Sequence, residues 1–107
     1  MKINHVLKAL SHPIRRDIIA HLRNGSMTAG ALAEKFDVSK PTMSTHFAAL
    51  KEAGLITAER DGVTIHYRLN ATVAEEAIGM LMGLFGTQHM PSVQEQPPAP
   101  EETENEI

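Results

Sequence analysis

The apolar residues of this chain change period twice. Up to Gly54 they recur every three or four positions; from Leu55 to Leu69 they alternate; beyond Asn70 the wider spacing returns. A helix repeats every 3.6 residues and a strand every two, so the pattern predicts helices, then a strand pair, then a last helix. Ile3, Val6, Leu7 and Leu10 mark a short first helix. Ser11 or His12 caps a second, with Pro13 in the first turn, where its missing N–H is not needed. Ile14, Ile18, Ile19 and Leu22 form its apolar stripe, and Asn24-Gly25 ends it. Thr28 caps a third helix carrying Ala29, Leu32, Ala33 and Phe36, broken at Asp37. Ser39 caps a fourth, with Met43, Phe47 and Leu50 on its buried side and Gly54 as its stop.

Leu55 to Arg60 reads as a strand, and Asp61-Gly62 as a two-residue type I′ turn, which needs positive φ at both positions. Val63, Ile65, Tyr67 and Leu69 are expected to face inward; Thr64, His66 and Arg68 outward. Thr72 is the expected cap of the last helix, and Glu75 and Glu76 favour its N-terminal end. From Ala77 to Phe85 that helix has almost no polar face. A helix apolar all round needs burial all round, and a second copy of the chain supplies it most simply. Gly79 and Gly83 either admit another backbone or rest against the domain's own core.

Residues 90–107 carry four Pro and five Glu and almost nothing to bury, so they read as a disordered acidic tail. Residues 1–89 then form one domain, small enough to gain from a partner chain. All ten Lys and Arg lie in that body, against eight acids, for a charge of +2; the tail carries −5. A body at +2 gives nucleic-acid binding only weak support by charge alone. The tail serves as a solubilising end or screens a basic surface from non-specific contacts. With no cysteine, disulfides and thiolate metal sites are excluded within the chain. No signal peptide opens the sequence, and 77–85 is too short to span a bilayer, so a cytoplasmic protein without membrane insertion is expected.

The order helix, helix, helix, helix, hairpin, helix, with a very short turn between 28–36 and 39–53, predicts a mainly α (α+β) winged helix-turn-helix. In such a motif the second helix lies in the DNA major groove with its N-terminal residues at base edges. The stretch SKPTMSTHF, 39–47, suits that role. Met43 and Phe47 anchor one side, leaving Lys40, Pro41, Thr42, Thr45 and His46 outside, and no acid follows until Glu52. Lys donates to guanine, Thr gives or accepts and touches a thymine methyl, and His serves a base or a phosphate. Arg60 beside the turn, Arg68 on the second strand and Thr28 at the third helix are candidate backbone contacts.

Three stretches, LKALSHPIRRDIIAHL, MTAGALAEKFDVSKPTMSTHFAALKEAGLI and ERDGVTIHYRLN, resemble the ArsR family of bacterial winged-helix repressors over residues 4–85. The details look most like the SdpR-type branch, autorepressors without a bound metal. The resemblance implies a homodimer on an inverted-repeat DNA operator. Its dimer contacts would come from the first helix (Ile3, Val6, Leu7, Leu10) and the last (Val73, Ala77, Met80, Leu81, Leu84, Phe85). It also implies DNA contacts at Ser39, Lys40, Pro41, Thr42, Ser44, Thr45 and His46, with Arg60 in the wing. His12 stands where the family usually has Asp, and Met43 where a β-branched residue is common.

Many relatives sense metals, but the six histidines show no metal-binding spacing, so no metal and no cofactor is expected. A shared site of His5 with Glu75 or Glu76 across a dimer stays open. No nucleophile elbow or Gly-rich phosphate loop suggests an enzyme. Three alternatives remain. One is a winged helix that docks onto protein, and another is a repressor captured by a regulatory partner protein. The third is a small-ligand sensor, its pocket lined by Met80, Met82 and Met90.

Overall fold

A computed structural model describes residues 1–86 of the chain. The expected tail, 90–107, and the last residues of the expected domain lie outside the described residues. Five helices and three strands follow in the order α1 (Ile3–Ala9), α2 (Pro13–His21), β1 (Met27–Thr28), α3 (Ala29–Ala33), α4 (Lys40–Glu52), β2 (Ile56–Asp61), β3 (Thr64–Leu69) and α5 (Ala71–Leu84). A short 3-10 turn, Leu22–Asn24, closes α2. Gly25, at φ 137°, then redirects the chain. Caps define the helix starts. The His12 ring accepts from Ile14 N–H at 3.2 Å, Thr28 from Ala31 N–H at 3.1 Å, and Ser39 from Thr42 N–H at 3.3 Å. The cap of α5 is Asn70, which accepts from Val73 N–H, rather than Thr72.

Two departures concern the sheet. A third strand, β1, pairs antiparallel with β3 at Met27–Tyr67 and Thr28–His66, giving the order β1-β3-β2. Two residues are too short to show an alternating pattern, so β1 had no sequence signal of its own. The hairpin turn also lies one residue later than expected. Asp61 pairs with Thr64, so Gly62 and Val63 form the loop. Gly62 takes φ 65° and no other residue of the loop has positive φ, the pattern of a type II′ turn. Val63 therefore sits at the wing tip, 96 % exposed, instead of facing inward.

The core joins Val6 and Ala9 of α1, Ile18 of α2, Leu32 of α3, Met43, Phe47 and Leu50 of α4, Leu55 and Ile56, Tyr67 of β3 and Ala77 of α5. Phe47 stacks on Tyr67 at 4.6 Å, holding α4 to the wing. At Gly54, φ 82° and the Val73 methyl groups 3.5 Å from where a Cβ would stand both favour glycine. Val6 and Ala77, expected at a dimer interface, are buried in this core, Val6 to 1 % exposed. Leu7, Met80, Leu84 and Phe85 are exposed, while Ile3, Leu10, Val73 and Leu81 are half-buried. Ile78, on the same helix, is exposed as well. Gly79 and Gly83 face open space, not the domain's own core.

Candidate nucleic-acid interface

Helix α4 presents a narrow polar face. Lys40, Pro41, Thr42, Ser44 and Thr45 are exposed, and the first acid along the helix is Glu52. Part of this surface is already committed. The Ser39 hydroxyl donates to the Thr42 hydroxyl at 2.8 Å, and the Thr45 hydroxyl donates to the Pro41 carbonyl at 3.1 Å. Thr42 is left with a proton to give, and Thr45 with lone pairs and a methyl group to offer. Thr28 is half-buried, and its hydroxyl is occupied as the α3 cap.

His46 departs from expectation. It is 5 % exposed, on the inner side of α4. Its Nδ1 accepts from Arg15 Nε at 3.1 Å, and its ring lies 4.4 Å from the His12 ring. Direct contact with a base or phosphate is closed to a side chain so placed. Residues 43, 46, 47 and 50 share one helical face, so 46 belongs with the anchors and not with the readers. Arg15, which sequence reasoning missed, is the hydrogen-bond partner it meets there.

The two wing arginines lie on opposite faces of the hairpin. Residues directly opposite in an antiparallel pair share a face. Arg60 pairs with Ile65, on the side of Ala58 and buried Tyr67; Arg68 pairs with Thr57, on the side of Glu59 and His66. Burial raises the Tyr67 hydroxyl pKa, and the nearby Arg60 charge opposes that rise. Both arginines nevertheless border one shallow cavity of about 350 Å³, together with Ser26, Thr57, Glu59, Asp61 and His66.

The cations are distributed unevenly. Lys2, Lys8, Arg15, Arg16 and Arg23 all precede β1, with Asp17 as the one acid among them. Half of the positive charge thus lies on α1, α2 and the turn after them, a bias that a count over the whole body hides. Among the described residues, no group of three or more His, Asp or Glu is placed to hold a metal ion. No helix of the described residues is long and apolar enough to cross a membrane.

A helix-turn-helix domain family matches residues 10–59. The chain is 45 % identical over 83 residues to the transcriptional repressor SdpR of Bacillus subtilis, covering 78 % of this chain and 92 % of that protein. This chain belongs to the ArsR family of winged helix-turn-helix transcriptional repressors. Solved ArsR-type structures share its architecture. The ArsR-like regulator of Rhodococcus sp. RHA1 superimposes with TM-score 0.70 at 26 % identity, over 78 % of this chain and 79 % of that one. The repressor BigR of Xylella fastidiosa gives 0.60 at 31 % identity, over 78 % and 85 %.

Proposed function

We propose that this ArsR-family repressor works as a cytoplasmic homodimer on an inverted repeat, with half-sites roughly one helical turn, about 10 bp, apart. The exposed face of α4 carries this reading. Lys40, Pro41, Thr42, Ser44 and Thr45 offer donors, acceptors and a methyl group at the start of a helix, free of acids and bulky apolar groups. Ser39 and Thr28 set the two helix starts, and Arg60 at the wing supplies charge for the backbone. Leu7 on α1, Ile78, Met80 and Leu84 on α5 and Phe85 just after it leave a large apolar surface uncovered in a single chain. Such a surface marks an interface, and Gly79 and Gly83 allow close approach there.

The test is binding to the DNA upstream of the protein's own gene, at two salt concentrations, with and without zinc. Tight binding that weakens steeply with salt and ignores zinc supports a metal-independent autorepressor. Absence of binding at low salt directs the search to another operator through a randomised duplex pool. If that pool also yields no duplex, DNA reading by α4 is wrong.

A further inference from the structure

We propose that His46 is a positioning residue of the DNA-reading helix, clasped by Arg15 and His12 of α2 in a proton-sensitive latch that lowers operator affinity in acid. The proposal rests on α4 reading DNA. Its basis is the geometry of one buried polar node. Arginine has only donors, so the His46 Nδ1 that accepts from Arg15 Nε at 3.1 Å carries no proton, and the neutral ring holds its proton on Nε2. The His12 ring, 4.4 Å away and tilted by 54°, is itself tied into the start of α2 by accepting from Ile14 N–H. His46 is the buried polar residue among the described ones. The recognition helix is therefore hung on the first turn of α2 through a neutral imidazole.

A proton added at Nδ1 turns the acceptor into a donor pointed at another donor and places a cation against a guanidinium. The surroundings offer little relief. From α2 the facing groups are His12 and Arg15. From α1, His5 and Lys8 border with Arg15 a cleft of about 270 Å³. Glu52, the acid at that cleft, lies at the far end of α4, six residues on. From the sheet, the Tyr67 ring stacks on Phe47. Burial first, then the His12 and Arg15 charges, hold the His46 pKa below the ordinary imidazole value. Protonation therefore favours a state in which the ring has left its place. Thr45 adjoins His46 and Thr42 lies one turn before it, so a rotation of α4 that frees the ring also moves the readers.

The direction of the pH effect separates this latch from ordinary electrostatics. Acid makes a protein surface more cationic, which tightens binding to a polyanion. The latch predicts the reverse. The experiment measures affinity for a duplex selected from a random pool, at fixed salt, at about pH 7.5 and about pH 5.5, on either side of the ordinary imidazole range. The wild type should lose affinity at the lower pH, by up to about tenfold, because that pH lies about one unit below the ordinary imidazole value. His46→Asn keeps an acceptor near the Nδ1 position without a titrating group, so its affinity should lack that fall. Circular dichroism checks that the variant is folded.

A second readout needs no DNA. Nitrogen NMR of the imidazoles should show the Nε2-protonated tautomer at His46, and Arg15→Gln should move its midpoint upward by removing a cation. Affinity that holds or rises in acid, an equal fall in the Asn variant, or a proton on Nδ1 at neutral pH would overturn the latch. If no duplex binds at neutral pH, DNA reading has failed, and the tautomer and midpoint still decide whether His46 is clasped as described.

Discussion

Lys40 and His46 stand on one helix, the first exposed and the second buried, and their chemistry divides accordingly. Lys40 is exposed in the first turn of α4, and in the proposed complex its ammonium would serve a phosphate or a guanine edge. Lys40→Ala is expected to weaken binding to every duplex about equally and to reduce the salt slope by about one if its partner is a phosphate. Loss at one sequence position, with the slope unchanged, would make it a base reader instead. A proton on His46 also bears on stability. Its pKa is depressed in the folded chain relative to the ordinary 6.5 of an unfolded one. The unfolded chain then binds the proton more readily, so stability is whole above 6.5 and falls as pH drops below it toward the lower folded value. Urea titrations across that window should show this slope in the wild type and a shallower one in His46→Asn.

The hairpin shows how an element departs from its own turn signal. Asp-Gly favours a type I′ turn with Asp and Gly at the centre. Here Asp61 stays in the ladder opposite Thr64, and Gly62-Val63 makes the turn. The register is instead compatible with burial of Ile56 and Tyr67, which lie on the same side of the sheet. A slip by one residue would turn the buried set outward. Val63 is left at the tip as the apolar residue of the wing most open to a partner. Gly62→Ala places a side chain at φ 65° and should cost roughly 1 kcal/mol or more. Chemical unfolding measures that loss, and a neutral result would show that the wing tip relaxes freely.

At the scale of the whole molecule, α5 decides whether the chain works alone. Its outer side leaves Leu84 76 % and Phe85 80 % exposed, whereas Ala77 points into the core. A combined Leu84→Glu and Phe85→Glu variant should keep its helical content, because neither side chain lies in the core, yet sediment as a monomer. The wild-type Tm should rise with protein concentration, as linkage between folding and association requires, and that of the variant should not. A concentration-independent wild type would leave the apolar side of α5 to a different partner.

What the sequence determined by itself is local. The positions of α1, α2, α4 and α5, the caps at Thr28 and Ser39, and the change to strands after Gly54 all follow from signals spanning a few residues. So does the polar face at 40–45. The tertiary structure decided what depends on distant partners. Arg15, thirty-one residues away along the chain, gives the buried His46 its hydrogen-bond partner. Strand β1 exists because β3 offers it an edge, and the turn register accords with the burial of the sheet. Val6 and Ala77 went to the core and Ile78 to the surface. Helical spacing names an apolar side, and only packing shows how much of it one chain can cover.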